Sequence, residues 1–180
     1  MLEKKDNLEE ILKRTILQLS DNISSQLNIL FNCKFSSKKI LKYDEFIQML
    51  DRRYYVFSLR NEKVSPLLNV LDAQIIYMLT NRMLGGEGIL EVRKFKDLFS
   101  FSERYFAKYL IDWLIESMHK NGLMMNLGKI ADSPKYYHIY LSDEEVWQYT
   151  FEVYIAEQHV GLFYLCIDRD FEIKLLKDIV

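Results

Sequence analysis

The sequence predicts an α/β (α+β) fold, in which long helices pack on a mainly antiparallel sheet and the chain forms two helix–strand–hairpin–helix repeats. Two observations lead to this prediction. Segments with helical spacing of apolar residues alternate along the chain with segments typical of strands. In addition, the stretch VFSLRNEKVSPLLNVLDAQIIYML matches EVYIAEQHVGLFYLCIDRDFEIKLL, about 96 residues later, hairpin over hairpin and helix over helix. Such a repeat indicates a pseudo-twofold domain with a layered architecture.

Length and composition indicate a single domain covering residues 1–180. The chain is long enough to bury a sizeable core, and its 49% hydrophobic and 28% charged residues argue against disorder. A net charge of −2 gives no reason to expect nucleic acid or an anionic membrane surface as a partner. The N-terminus shows no secretion signal, and no apolar run approaches the roughly 20 residues that span a bilayer. Two cysteines in such a chain favour reduced thiols, so a cytoplasmic location is predicted.

The first repeat is placed at about residues 8–84 and opens with a helix. Apolar residues at helical spacing predict this helix over 8–32, with a capping box formed by Asp6 and Glu9. The polar stretch SDNISSQ in its middle fits either a solvated face or a small-residue surface against which another subunit packs. CKFSSKKIL then predicts an exposed strand and YDEFIQML a short helix. RYYVFSLR and PLLNVL predict paired strands joined by the turn NEKVS.

The helix DAQIIYMLTNRML, opened by Asp72, closes the first repeat, and the linker 85–99 leads to the second repeat at 100–180. There Ser100 and Glu103 form a capping box for a long helix that ends at Asn121-Gly122. The residues expected on its buried face are Phe106, Leu110, Trp113, Leu114, Ser117 and Met118. LMMNLGKI and YYHIYLS predict strands, VWQYTFEVYIAEQHVGLFYLCID predicts a hairpin turning near Glu157-Gln158-His159, and RDFEIKLLKDIV predicts a terminal helix.

Glycine is concentrated at one place in the chain. Three of the six glycines lie in Gly85-Gly86-Glu87-Gly88, directly behind an apolar helical pattern. Phosphate-binding glycine loops precede a helix, where free N–H groups face the anion. This loop follows a helix, where carbonyl groups and the negative end of the helix dipole repel phosphate. The sequence therefore excludes a nucleotide site here.

Two interpretations of the glycine cluster remain. One is a helix stop, since a left-handed glycine is a common way to end a helix, but this accounts for Gly85 and at most Gly86 as well. The other is a contact loop whose main chain is kept bare so that a partner can approach closely. The residues by themselves favour the helix stop, although it leaves Gly88 without a role.

No catalytic residue, metal site or cofactor is predicted. His119, His138 and His159 are widely separated in the sequence, and none lies beside a cysteine or carboxylate at the spacing of metal ligands. The acidic run Asp143–Glu145 is most simply a solvated turn. No arrangement of serine or cysteine with histidine has local support. The protein is therefore predicted not to be an enzyme.

Three segments resemble a known family. RTILQLSDNISSQLNILFNCKFSSKKILKYDEFIQML, PLLNVLDAQIIYMLTNRMLGGEG and FSFSERYFAKYLIDWLIESM are similar to the middle domain of FliM, the bacterial flagellar motor switch protein. The specific part is a helix that ends in Gly-Gly-x-Gly and is followed by a linker and a Ser/Thr-x-x-Glu helix start. The resemblance runs in order from about Arg14 to Asp168. It implies the pseudo-symmetric fold that FliM shares with the CheC and CheX phosphatases.

The resemblance also implies a role for the glycines. In FliM-like proteins the Gly-Gly-x-Gly loop docks the rotor protein FliG, and neighbouring copies pack into the cytoplasmic ring at the base of the flagellum, where rotation direction is controlled in chemotaxis. Carried over to this chain, the docking residues are Gly85, Gly86, Glu87 and Gly88. We extend this site to Arg82, Met83 and Leu84, which directly precede the glycines. With the resemblance included, the contact-loop interpretation is favoured.

The alternative function within this fold is a CheC-like phosphatase acting on phospho-CheY. Those enzymes carry a Glu-x-x-Asn signature, and none of the asparagines in this chain has an acidic residue three positions before it. Two further FliM features are not evident: the N-terminal Glu-Ile-Asp segment that binds phospho-CheY, and the small β domain that joins FliN. The sequence is expected to be an excised middle domain or a short homologue, and contacts with CheY and FliN are left open.

Overall fold

The computed structural model describes residues 7–86, 99–131, 133–134, 137–171 and 174. In these ranges the chain forms a six-stranded antiparallel sheet and four helices. The helices are α1 (Leu8–Leu27), α2 (Tyr43–Met49), α3 (Ala73–Met83) and α4 (Phe101–Lys120). The strands are β1 (Phe31–Lys42), β2 (Tyr54–Arg60), β3 (Leu67–Asp72), β4 (Asn126–Ala131), β5 (Glu145–Ile155) and β6 (Gln158–Asp168).

The strand order shows the predicted twofold repeat. The sheet runs β1-β5-β6-β3-β2-β4, so a pseudo-twofold axis between β6 and β3 exchanges β1 with β4 and β5 with β2. Side-chain hydrogen bonds follow the same symmetry. Asp72 Oδ1 accepts from Gln74 N at 2.9 Å, and Asp168 Oδ1 accepts from Asp170 N at 2.8 Å. The predicted fold of two helix–strand–hairpin–helix repeats is therefore confirmed.

The sheet is buried on both faces, with one core on each side. Alternate residues of a strand point to opposite faces. In β2, Tyr55, Phe57 and Leu59 therefore pack in a core with the long helices α1, α3 and α4. Tyr54 and Val56 point the other way, into a smaller core closed by α2 and by Tyr137 and Tyr140. This accounts for a β2 sequence that is apolar almost throughout instead of alternating.

Serines in the middle of α1 bind the free edge of β1. Ser24 Oγ donates to Phe31 O at 3.0 Å and accepts from Phe31 N at 3.1 Å, and Ser20 Oγ accepts from Cys33 N at 3.2 Å. Asn22 Nδ2 donates to Ser117 Oγ of α4 at 3.3 Å. Neither interpretation of the SDNISSQ stretch had anticipated these contacts, because the edge of β1 comes to α1 only in the folded chain.

Most of the predicted elements are confirmed. The strand CKFSSKKIL, the short helix YDEFIQML, the hairpin of β2 and β3 and the helix behind Asp72 all occur, as do β4 and the β5–β6 hairpin. Only part of the predicted terminal helix lies in the described residues, where Lys174 N donates to Asp170 O at 3.0 Å.

The predicted start of α1 at residue 8 is confirmed, but its N-cap differs from the predicted one. Asn7 is the N-cap, and its Oδ1 accepts from Glu10 N at 2.9 Å. The capping box of Asp6 and Glu9 was therefore placed one position too early, and Asp6 lies outside the described residues. Asp6 and Asn7 are each followed three residues later by a glutamate, so the sequence permits an N-cap at either position. Which of them caps the helix depends on which residues the helix must bury.

Positive φ angles set two other boundaries that the sequence analysis misplaced. The helix predicted over 8–32 ends at Leu27, because Asn28 adopts the left-handed conformation with φ of 48°. The β5–β6 hairpin turns at Ala156 and Glu157, with φ of 49° and 67°, and not at Glu157–His159. A two-residue turn with both residues at positive φ matches the twist of the strands, and asparagine and glycine are the usual signals for it. Neither occurs here.

The segment YYHIYLS was predicted as a strand, and this was wrong. Its described residues form no strand. The Tyr137 hydroxyl donates to Ser58 Oγ at 2.5 Å, and the Tyr140 hydroxyl donates to Cys166 O at 3.1 Å. These tyrosines lie across one face of the sheet. Their spacing in the sequence therefore reflects packing onto that face and not hydrogen bonding as a strand of the sheet.

The start of α4 confirms the predicted capping box. Ser100 Oγ accepts from Glu103 N at 3.2 Å, and Glu103 Oε2 accepts from Ser100 N at 2.6 Å. The buried face was partly misassigned, since Phe106 and Trp113 are only half-buried. The remaining predicted residues, Leu110, Leu114, Ser117 and Met118, are buried, and Ala107 and Ile111 complete the face.

We predict that Ser100→Ala lowers the free energy of unfolding by about 1 kcal/mol, because it removes the acceptor for an orphan N–H of the first turn. Ser102, two residues further on, is exposed and serves as a matched control. Ser102→Ala should change stability by less than about 0.5 kcal/mol. Urea unfolding followed by circular dichroism measures both, and equal effects of the two variants would contradict the capping role.

Removing the charge should change the free energy of unfolding differently at the pseudo-equivalent aspartates Asp72 and Asp168. Burial raises the pKa of Asp72. Burial also acts to raise the pKa of Asp168, but hydrogen bonds from Asp170 N, Ser65 and Lys174 outweigh it and the pKa is lowered. Asp168→Asn should therefore cost about 1–2 kcal/mol at pH 7, whereas Asp72→Asn, which keeps a capping oxygen, should cost nothing or stabilise slightly.

The pH dependence checks the sign of this prediction. A depressed folded-state pKa contributes stability that is present above the ordinary aspartate pKa of 3.8 and is lost as the pH falls through the lower folded-state value. The difference in unfolding free energy between the wild type and Asp168→Asn should thus shrink in acid. A difference that stays constant from pH 7 to pH 2 would show that Asp168 does not act through its charge.

Candidate docking site

The candidate site is the C-terminal end of α3, where the first two glycines of the cluster lie. Gly85 has φ of +87°, a conformation that L side chains disfavour. Gly85 N donates to Arg82 O at 3.0 Å, and Gly86 N donates to Asn81 O at 2.9 Å. This pair of hydrogen bonds is the Schellman motif, which satisfies the last carbonyl groups of a helix. Gly85 therefore ends α3 as the helix-stop interpretation predicts.

Gly86 is glycine for a different reason. A Cβ atom at this position would lie 2.0 Å from Asn81 Oδ1 and 3.0 Å from Asn81 O. A side chain at Gly86 would therefore force the Asn81 side chain to move, and its Cβ would still lie tight against the main chain of α3. Arg82 Nη1 also donates to Gly86 O at 3.4 Å, which ties the end of the described segment back to the helix.

The end of α3 presents a bare, partly apolar surface. A Cβ atom at Gly85 would meet nothing within 4 Å, so this glycine borders open space. Leu84, next to it, is 65% exposed. Arg82, Met83 and Gly86 are half-buried. We call Leu84–Gly86 the α3 tip.

Of the seven predicted site residues, five are described, and Glu87 and Gly88 lie outside the described residues. The structure places the five at one end of one helix, as their adjacency in sequence requires. It distinguishes the exposed members, Leu84 and Gly85, from the three that are partly covered.

The α3 tip is held by a well-anchored helix. At its start, Asp72 Oδ1 accepts from Gln74 N and caps the helix. Along its length, Ile75, Ile76 and Leu79 are buried against the sheet and α4. Burial of this face fixes the helix axis, so the tip is presented in a defined position before any partner arrives.

The described residues outside the tip offer no assembled chemistry. His119 Nε2 is hydrogen-bonded to Met125 O at 2.7 Å, and His138 and His159 are exposed. Burial raises the pKa of the Cys33 and Cys166 thiols far above the usual range, so neither is a ready nucleophile. In the described ranges, no three His, Cys, Asp or Glu side chains are grouped to hold a metal ion. Nor does any helix there combine the length and apolar character needed to cross a bilayer.

Sequence reasoning missed one unusual surface, on the outward face of α4. Phe101, Tyr105 and Tyr109 are exposed, and they recur at the i, i+4 spacing of one helix face. The signal was present in FSERYFAKY. It was obscured because Phe106 and Trp113 join the aromatic stripe to the buried face, so periodicity could not separate the two.

Several solved structures share this fold. The chain is similar to FliM in the crystal structure of the FliM–SpeE complex from H. pylori, with a TM-score of 0.81, 14% identity, and coverage of 95% of this chain and 91% of that one. It is also similar to the FliG–FliM complex from H. pylori, with a TM-score of 0.79, 18% identity and 93% coverage of both chains. A CheC-like superfamily protein from Shewanella shares the fold more loosely, with a TM-score of 0.52, 11% identity, and coverage of 91% and 98%.

The sequence itself identifies the family. No curated protein sequence matches the chain significantly. The family model described as "Flagellar motor switch protein FliM" matches residues 2–171, which is nearly the whole chain and includes the first repeat, the α3 tip, α4 and most of the second repeat. These observations agree with the pseudo-twofold fold and with the glycines at the end of α3. The chain belongs to the FliM family of flagellar motor switch proteins.

Proposed function

We propose that this protein is a component of the flagellar motor switch that docks the rotor protein FliG through the α3 tip and the residues that follow it. One observation carries the proposal: an exposed leucine, Leu84, lies beside a glycine that borders open space, at the end of a rigid helix. Family membership supports it, as does the likeness to the FliM chain of a FliG–FliM complex. Glu87 and Gly88 complete the proposed docking segment.

The geometry of the tip suits a partner that brings hydrogen-bond donors and a small apolar pocket. The C-terminal end of a helix carries partial negative charge, which favours N–H groups or cationic side chains of a partner. The bare main chain at Gly85 lets a partner's backbone approach closely. Burial of Leu84 would add about 2 kcal/mol of gross transfer free energy, part of which is offset by the cost of ordering the interface.

In this proposal the helix-stop and contact-loop interpretations of the glycines are compatible. The left-handed glycine that completes the Schellman motif is also the residue whose missing side chain leaves the tip bare. In the proposed assembly, neighbouring copies pack side by side in a ring at the cytoplasmic face of the basal body. A change in rotation direction would follow from a shift in the relative tilt of copies and FliG, biased by the state that a signalling protein prefers.

The proposed role is non-enzymatic. The rival is a CheC-like phosphatase acting on phospho-CheY, a reading that the shared fold permits. Its Glu-x-x-Asn signature is missing from the sequence. The proposal does not extend to phospho-CheY capture or to FliN. Release of phosphate from phospho-CheY by the purified chain would favour the rival.

We predict that Leu84→Asp weakens FliG binding at least tenfold without loss of stability, because it places a charge on the apolar part of the tip. Isothermal titration of the chain with FliG measures the affinity. Leu141→Asp is the matched control, since Leu141 is 72% exposed and lies in the second repeat, far from α3 in the sequence. Unchanged FliG affinity for Leu84→Asp, or an equal loss for Leu141→Asp, would rule out the α3 tip as the docking point.

A second pair of variants separates folding from binding. Gly85 and Gly122 both follow a helix, have φ of +87° and +84°, and face open space. Gly85→Ala and Gly122→Ala should therefore each cost about 1–2 kcal/mol of unfolding free energy, measured by urea titration. Only Gly85→Ala should weaken FliG binding, because only it adds a side chain at the tip. If binding followed stability and fell equally in both variants, direct contact at Gly85 would be disproved.

A further inference from the structure

The outward face of α4 carries a row of contacting aromatic rings, which we call the α4 ladder: the exposed Phe101, Tyr105 and Tyr109, and the half-buried Trp113, which also packs against the core. Successive ring centroids are 6.3, 5.6 and 6.2 Å apart. Phe101 is 85% exposed, Tyr105 50% and Tyr109 39%. Such a stripe is unusual on a folded surface, where large apolar patches commonly mark an interaction site.

The other repeat shows that the fold itself does not require this ladder. When Leu12 of α1 is set against Ala107 of α4, most buried positions of the two helices coincide. These pairs are Thr15 with Leu110, Ile16 with Ile111, Leu19 with Leu114, and Ile23 with Met118. In the same register, Tyr105, Tyr109 and Trp113 correspond to Glu10, Arg14 and Gln18. The equivalent face of α1 is thus polar, and the aromatic face of α4 is an addition specific to the second repeat.

A row of charges runs beside the ladder and is self-complementary. Arg104 and Lys108 lie in the N-terminal half of α4, and Asp112 and Glu116 lie in the C-terminal half, all exposed and all four residues apart. Leu110 lies midway between Lys108 and Asp112, and also midway between Arg104 and Glu116. Reversing the helix direction about Leu110 therefore exchanges each basic position with an acidic one. If two α4 helices pack antiparallel, Arg104 of each copy faces Glu116 of the other, and Lys108 faces Asp112.

The inner pair of charges is available for such a contact. Within the described part of the chain, neither Lys108 nor Asp112 forms an ion pair. The outer charges have neighbours already: Glu116 binds Lys120 at 2.7 Å, and Arg104 Nε donates to Phe99 O at 3.0 Å. The contact therefore rests on the ladder and on Lys108 and Asp112.

We propose that two copies of this chain associate through the α4 ladder, with the two α4 helices antiparallel about a twofold axis near Leu110. We infer a second copy of this chain as the partner because it supplies both an aromatic surface and charges in the matching reversed order. Each ladder exposes roughly 350 Å² of residue surface, so two ladders bury at most about 700 Å², which is below the roughly 1,200–2,000 Å² of specific interfaces. The pair is consequently weak, with a dissociation constant of the order of 100 µM.

This pair differs from the packing proposed for the ring. A ring is built from a repeated head-to-tail contact, whereas a twofold pair uses the same patch on both copies and closes on itself. The proposal does not depend on FliG docking, since it uses neither the α3 tip nor any second protein. It can therefore fail while the proposed function stands, and the reverse also holds.

Sedimentation equilibrium of the purified chain, over roughly 10 to 1000 µM and with no other protein present, measures the association. We expect monomer at the lowest concentration and a reversible dimer at the highest. Tyr109→Ser, which removes a ring near the axis, should weaken association about tenfold or more. A mass that stays monomeric across the range, or a dimer unaffected by Tyr109→Ser, would overturn the proposal.

A charge swap tests the antiparallel arrangement. Lys108→Asp and Asp112→Lys should each weaken association about tenfold, because by symmetry each replaces two attractive contacts with two repulsive ones. The double variant should return to within about threefold of the wild type. Asp21→Lys, an exposed charge reversal on α1, is the control and should have no effect. Single reversals without effect, or a double variant that is not restored, would contradict the antiparallel pairing, and thermal melts confirm that each variant is folded.

Discussion

The close approach of β6 to the end of β3 is the constraint on which the rest of the structure depends. These strands join the two repeats into one sheet, with Leu68 opposite Cys166 and Leu71 opposite Phe163. Just beyond this pairing, a Cβ atom at Gly161 would lie 2.7 Å from Asp72 Cβ. The missing side chain leaves room for Asp72, which ends β3 and caps α3. A glycine in the second repeat thus permits the turn from strand to helix in the first, and through α3 it determines where the exposed tip lies.

The two repeats share an architecture but have different surfaces. The buried faces of α1 and α4 coincide at most positions, because both must cover the same kind of sheet surface. Their outward faces are under no such constraint, and they have diverged into a polar face on α1 and an aromatic one on α4. The pseudo-equivalent aspartates have diverged as well, since Asp168 gains hydrogen bonds from Ser65 and Lys174 that outweigh its burial. In a fold made of two similar repeats, each repeat can be compared with the other. A surface that occurs in only one of them can thus be recognised as unusual without any other sequence.

The glycines at the end of α3 can both terminate the helix and serve the proposed docking of a partner. Backbone hydrogen bonds of the helix terminus require the left-handed Gly85 and the close approach of Gly86 to Asn81. The same requirements remove side chains from the surface beside Leu84. A tip of this kind is stiff and bare for one physical reason, so it can present main chain to a partner with little further ordering.

The sequence by itself determined the features that depend on local periodicity and caps. These include α3 with Asp72 at its start, the Ser100–Glu103 box of α4, the hairpins and the repeat. It misplaced the cap of α1, the turn at Ala156–Glu157 and the Tyr137–Tyr140 segment, because competing caps, positive φ angles and packing onto a sheet face are settled by the rest of the fold. Only the tertiary structure decided which face of α4 is buried and that the serines of α1 bind β1. Those outcomes depend on contacts between segments far apart in the chain, which local pattern does not encode.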